Sequence, residues 1–227
     1  MRLLAIETTG LAGSVAALDD GNLLAELDLP PDQGSSQSLA PALGGLLATV
    51  GWRPKEVQAV AVVAGPGSFT GLRVGVTTAK TFAYAVRAEV LALDTLEVIA
   101  AAAPPEVTRL SVAVDAQRGQ VVAADFVRAS DGWMHPTGAA QLLDVEAWWA
   151  GLAPGSFVAG PVLRQLIERL PAQLVALDKE YWFAKAAAAG RLAARLFAAG
   201  QRDDLWGLVP RYSRPSAAEE KWQAKKG

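Results

Sequence analysis

The sequence predicts an α/β protein of two lobes, the second a reduced copy of the first. Three observations lead there. Short apolar runs alternate with helix-length segments through the first hundred residues, the pattern of a sheet with helices packed on its faces. Pro104-Pro105 interrupts the chain and sets a boundary between residues 1–103 and 104–227, since proline fixes φ and removes a donor. Beyond that break a hairpin and then the order strand, tight turn, helix recur in weaker form.

Taken in order, residues 2–6 read as a strand that leaves through Glu7-Thr-Thr-Gly10. Residues 14–18 and 23–29 form two further strands around the Asp19-Asp-Gly-Asn22 turn, a hairpin signature. After the Pro30-Pro31 loop, residues 38–50 predict a helix with Leu39, Leu43, Leu46 and Leu47 on one face and Gly51 as its stop. Its Gly44-Gly45 pair costs roughly 1 kcal/mol per glycine relative to alanine. That cost predicts close packing against another backbone, with the small residues from Gly71 to Ala83 as the expected partner.

Residues 58–64 form a valine-rich run suited to a strand covered on both faces. Gly65-Pro-Gly67 ends it, Ser68 or Thr70 can cap the following helix, and nothing breaks that helix before about Arg87. A strand at 90–93 completes the lobe. Three antiparallel strands, helix, strand, helix, strand is the order of the ribonuclease-H-like unit, from which actin-like and Hsp70-like ATPases are built. In the second part, 109–114 and 120–128 pair around Asp115-Ala-Gln-Arg-Gly119, and 133–140 and 145–151 suggest a strand and a short helix. Residues 156–159, Gly160-Pro161 and 162–170 then repeat strand, turn and helix, before a strand at 172–177 and an alanine-rich helix at 181–199.

The glycine-rich loop at 65–71 is not a P-loop, because no Gly-Lys-Ser/Thr ending follows. Thr70 occupies the third glycine position of a dinucleotide fingerprint, and Pro66 and Thr70 occupy the glycine positions of a nucleophile elbow around Ser68. Along the helix, Gly71, Gly75, Ala79 and Ala83 recur every four residues and form one smooth row, with Arg73, Lys80 and Arg87 in a second, basic row. The smooth row suits a close helix contact, either inside this chain or between two chains.

Gly65-Pro-Gly-Ser-Phe-Thr-Gly-Leu-Arg73, followed by Ala79-Lys80, resembles the signature of the bacterial TsaB family. Leu3-Leu-Ala-Ile-Glu-Thr-Thr9, Val114-Asp-Ala-Gln-Arg-Gly-Gln120 and Val209-Pro-Arg-Tyr-Ser-Arg214 resemble further family motifs in the same order. Glu7 stands where aspartate is usual. The resemblance implies a non-catalytic subunit in the synthesis of threonylcarbamoyladenosine, next to the anticodon of tRNAs reading codons that begin with A. It would bind and activate a catalytic TsaD-like sister subunit, with a small TsaE-like ATPase completing the assembly and tRNA engaged through the complex. A homodimer is the expectation for the chain alone. An actin-like small-molecule kinase and a peptidase are the alternatives.

The resemblance of the lobes to actin-like ATPases implies a vestigial nucleotide site at Glu7, Thr8, Thr9, Asp115, Gly119 and Gly160. Glu7 and Asp115 would hold magnesium through water, although capping of their own turns is the simpler reading. The expectation is no resident cofactor and weak binding of ATP or ADP with magnesium. Partner binding is assigned to Leu39, Leu43, Leu46 and Leu47 together with Gly71, Gly75, Ala79 and Ala83. The sister subunit's metal-binding histidine pair would fall at Leu93-Asp-Thr-Leu-Glu-Val-Ile99, which holds no histidine. The single histidine, His135, lies in a Trp-Met-His-Pro loop, and cysteine is absent. No bound iron or zinc is therefore expected, and no catalytic residue is assigned.

Composition agrees with a globular, cytoplasmic protein that does not enter membranes. Of 227 residues 52% are hydrophobic, and 21 Lys plus Arg stand against 23 Asp plus Glu. Up to Pro104 there are 6 basic and 10 acidic residues, and after it 15 and 13. Only the tail from Arg211, with five basic and two acidic residues, carries a local positive excess.

Overall fold

The computed structural model describes residues 1–10 and 12–213. Arg214 and the rest of the basic tail lie outside the described residues. The first sheet contains β1 (Arg2–Glu7), β2 (Ser14–Asp19), β3 (Asn22–Asp28), β4 (Ala59–Gly65) and β5 (Glu89–Asp94) in the order β3-β2-β1-β4-β5. β1 pairs antiparallel with β2 and parallel with β4. The second contains β6 (Arg109–Asp115), β7 (Gln120–Arg128), β8 (Met134–Pro136), β9 (Gln141–Asp144), β10 (Phe157–Ala159) and β11 (Val175–Ala176) in the order β11-β10-β6-β7-β8, with β9 also on β7. β8 and β9 share the place that β3 fills alone. Both sheets thus have the ribonuclease-H-like strand order, the second with shorter strands.

Side chains alternate across β1, so the two faces of the first sheet belong to different cores. Leu4 and Ile6 pack under α1 (Ser35–Thr49) and α2 (Phe69–Val86). Leu3 and Ala5 face a core shared with α3 (Thr95–Ala101), α6 (Ala186–Ala198) and one side of the second sheet. The far side of the second sheet is covered by α4 (Val145–Ala150) and α5 (Leu163–Leu166). Five layers result, and the middle helical layer joins the two sheets through one continuous apolar core.

Several boundaries differ from the sequence reading, each for a local reason. α6 starts five residues later than 181, because Trp182 is buried with its indole N–H donating to the Leu177 carbonyl at 2.6 Å. Its first amides are then capped from the first lobe: Ser14 Oγ accepts from Ala186 N at 2.8 Å and Glu26 Oε1 from Ala187 N at 2.8 Å. α3 was not anticipated. It is seven residues long, and Asp94 caps it by accepting from Leu96 N at 2.7 Å. The helix expected over 162–170 is α5 followed by a 3₁₀ turn at Ile167–Arg169.

The partner-binding residues require a correction. Leu39, Leu43, Leu46 and Leu47 are buried within the core over the first sheet, together with Ala79 and Ala83. Gly71 and Gly75 are pressed onto the β1 exit: a Cβ at either would collide with Thr8. The row at 71, 75, 79 and 83 is smooth because α2 lies close on its own sheet, which is the intrachain reading. Gly44 and Gly45 do not meet that row. Among the described residues outside its own helix backbone, none would touch a side chain at Gly44, and one at Gly45 would meet only Leu27 Cδ1 at 4.0 Å.

Candidate functional site

Two surfaces stand out, a cleft between the lobes and the outer side of α1 and α2. The cleft encloses about 900 Å³ and is lined from the first lobe by Glu7, Thr9, Ser68, Phe69 and Thr95, and from the second by Asp115, Gln117 and Arg164, with Tyr212 and Ser213 at one side. Of the residues assigned to a nucleotide site, Glu7, Thr9 and Asp115 come together here. Thr8, Gly119 and Gly160 do not line it. Thr8 Oγ1 instead donates to the Gly71 carbonyl at 2.7 Å, tying the β1 exit to α2. Gly160 (φ +124°) presses on the β6 backbone at Ala113, where a side chain would collide with the Ala113 carbonyl.

The carboxylates are occupied by their own turns. Glu7 is 1% exposed, and its Oε1 accepts from Thr9 N at 2.5 Å and from the Thr9 hydroxyl. Burial pushes its pKa up from 4.5 to about 7, against the opposing effect of those hydrogen bonds and of Lys185. Asp115 accepts from Gln117 N at 2.7 Å. Burial also raises Asp94, and Glu97 is raised by burial and then by the charge of Asp94. Thr95 is buried at the cleft wall with a hydroxyl that has no hydrogen-bond partner among the described residues.

Ser68 accepts from Gly71 N at 3.3 Å as the cap of α2. His135 lies outside the cleft lining and pairs with Asp131 at 3.0 Å. Ser68 thus has no histidine base in the cleft, which removes the simplest peptidase arrangement. Among the described residues no three His, Cys, Asp or Glu side chains gather as a metal-binding group.

Sequence reasoning named the 209–214 motif but not what the segment after α6 contacts. Asp203 N donates to the Val90 carbonyl at 3.0 Å and Asp203 Oδ2 accepts from Ala92 N at 2.6 Å, so the edge of β5 is covered. Lys80 of the basic row donates to the carbonyls of Trp206 at 3.1 Å and Leu208 at 3.0 Å. Arg211 N donates to the Ala64 carbonyl at 2.7 Å, and a side chain on Gly65 (φ +126°) would collide with the Arg211 carbonyl. Tyr212 stacks on Phe69 with centroids 4.5 Å apart and accepts from Arg73 Nε at 2.9 Å. The Gly65–Arg73 and Val209–Ser213 motifs are therefore two halves of one contact. Their shared role was hidden by a separation of more than a hundred residues.

The outer side of α1 is unusual for an exposed helix. Its sequence, SSQSLAPALGGLLAT, has no charged residue, and Gln37, Ala40, Pro41, Gly44, Gly45 and Ala48 are exposed. Pro41 and the glycine pair oppose helix formation. Alongside it α2 exposes Thr77, Thr81 and Tyr84. Surface helices ordinarily carry charge on the solvent side. No helix among the described residues is long and apolar enough to cross a membrane.

A family model described as TsaD, tRNA N6-adenosine threonylcarbamoyltransferase, matches residues 32–149. The Bacillus subtilis tRNA threonylcarbamoyladenosine biosynthesis protein TsaB is 29% identical over 98% of both chains. The Escherichia coli protein of the same name is 35% identical over 60% of this chain, and the alignment spans 59% of that relative's length. The solved structure of YeaZ from Pseudomonas aeruginosa superimposes with a TM-score of 0.81 at 29% identity, covering 93% of this chain and 99% of that one. A second, described as an uncharacterized protein with similarity to peptidase YEAZ from Pseudomonas aeruginosa, gives 0.80 at 31% identity over 94% of this chain and 99% of its own.

Proposed function

The chain belongs to the TsaB family, whose members are named tRNA threonylcarbamoyladenosine biosynthesis proteins, and from that premise we propose that it is a non-catalytic subunit that docks on and activates a TsaD-like sister. The modified nucleotide is the adenosine next to the anticodon in tRNAs reading codons that begin with A. A TsaE-like ATPase completes the assembly, and tRNA is engaged through the complex.

The observation that carries this reading is the uncharged, glycine-bearing outer side of α1, which no other element among the described residues covers. The Gly44 and Gly45 surfaces allow another helix axis to approach closely, and such a contact would offset the intrinsic cost of Pro41 and the glycine pair. The TsaD family model matches a segment that includes both α1 and α2. A sister with the same pair can meet them in a pseudo-symmetric four-helix contact. The absence of histidine from residues 93–99 and the engagement of Glu7, Asp115 and Ser68 in local hydrogen bonds favour a supporting over a catalytic role.

Reconstitution tests the assignment. The purified chain alone should neither hydrolyse peptide nor phosphorylate small molecules. With threonylcarbamoyl adenylate supplied as the donor, threonylcarbamoylation of tRNA should appear only when the chain is mixed with the sister subunit and the small ATPase. Full modification by those components without this chain would refute the role.

A further inference from the structure

We infer that the aromatic edge made by Tyr84 of α2 with Trp206 and Val209 of the C-terminal segment is part of the surface that receives the sister subunit. This rests on the functional reading above. Trp206 is 70% exposed, Tyr84 64% and Val209 61%, and the two rings meet edge to face with centroids 5.5 Å apart. These are the largest exposures of large apolar side chains among the described residues, and Val209 follows Trp206 by three positions in the same segment. Trp and Tyr are the residue types that most often anchor protein interfaces.

The position of Trp206 is set by backbone contacts rather than by its own ring. Lys80 holds the carbonyls of Trp206 and Leu208, Leu208 is buried beneath, and Asp204 accepts from Gly207 N at 2.6 Å. The indole is therefore presented on a fixed support, which lowers the ordering cost of binding.

The sister subunit is the occupant because it shares the α1–α2 pair that the TsaD family model matches, and area shows why those helices need an added contact. Side by side, helices of 15 and 18 residues are about 22 and 27 Å long and present a strip on the order of 500 Å². A stable protein contact covers about 800 Å² on each partner. Covering the exposed part of Trp206, which lies outside both helices, adds on the order of 150–200 Å² and narrows the difference. Tyr84 lies on the same exposed side of α2 as Thr77 and Thr81, so the edge continues the docking strip without a gap. The segment also lies beyond residues 32–149, the part matched by the TsaD family model. It adds a contact from this chain that the shared helices do not supply.

The test titrates the purified sister chain against the wild type, Trp206→Ala, Val209→Asp and Gly44→Leu, with melting temperatures measured in parallel. Trp206→Ala and Val209→Asp are each expected to weaken binding tenfold or more at unchanged melting temperature. If both bind like the wild type while Gly44→Leu does not, the aromatic edge is excluded and the docking role of α1 stands. Failure of the wild type to bind would overturn the functional reading and this inference with it. Loss of self-association alone, seen by sedimentation, would reassign the edge to a second copy of this chain and refute the sister as its occupant.

Discussion

Ala79→Trp is expected to destabilise the isolated chain by more than about 3 kcal/mol, lowering its melting temperature by roughly 6–12 °C. Ala79 is fully buried in the core between α2 and the first sheet, together with Ala83, Val62 and Val60. The helix can rest this closely because Gly71 and Gly75 bring it against Thr8. An indole at position 79 would lift α2 from the sheet and break the bond from Thr8 Oγ1 to the Gly71 carbonyl. Circular dichroism melts of the isolated protein provide the check. A variant with wild-type stability that fails only in partner binding would show that the row faces outward after all.

Glu7→Gln is expected to stabilise the protein at pH 8 by on the order of 3 kcal/mol and to have little effect near pH 4. The wild-type carboxyl is raised from 4.5 to about 7 by burial. Between those values the folded chain holds a proton that the unfolded chain has released, so wild-type stability falls as pH rises through this window. The contribution is fully present below about 4.5 and lost above about 7. Glutamine keeps an oxygen to accept from Thr9 N and its hydroxyl and cannot ionise. Urea melts from pH 4 to 8 should therefore converge at the acid end and separate at the basic end. Parallel curves would show that Glu7 ionises in the fold at an ordinary pH.

The strand order was legible because each early element carries its own punctuation. Asp19-Asp-Gly-Asn22 turns β2 into β3, and Gly65-Pro-Gly67 ends β4. The valine run between is covered on both sides, and its burial leaves no ambiguity of face. Elements fixed by distant partners were harder to read. α6 starts where Ser14 and Glu26 cap it from the first lobe, which a window over residues 181–199 cannot register. β9 is four residues long and exists by pairing with β7.

The candidate site was legible in its chemistry and misread in its direction. Spacing alone finds a smooth row on α2 and an apolar row on α1, yet an inner face and a docking face look alike in sequence. The informative signal was the other side of α1. Gly44-Gly45, Pro41 and the absence of charge through residues 35–49 are not accounted for by packing among the described residues. The cleft residues Glu7 and Asp115 were found by their match to the carboxylate positions of actin-like lobes. The part of Tyr212 and Trp206 required a contact between segments far apart in sequence.

Gly44→Leu measures the central claim most directly, because stability and docking should move in opposite directions. Gly44 lies in an exposed helix interior with open space above it, so leucine should gain about 0.8 kcal/mol of helix propensity and raise the melting temperature by about 2–3 °C. The same side chain would hold the sister's helix away and cut its affinity by at least tenfold, with tRNA modification falling in step. A more stable protein that no longer binds the purified sister chain is the result predicted. Unchanged affinity, whatever the melting temperature, would contradict docking through the outer side of α1.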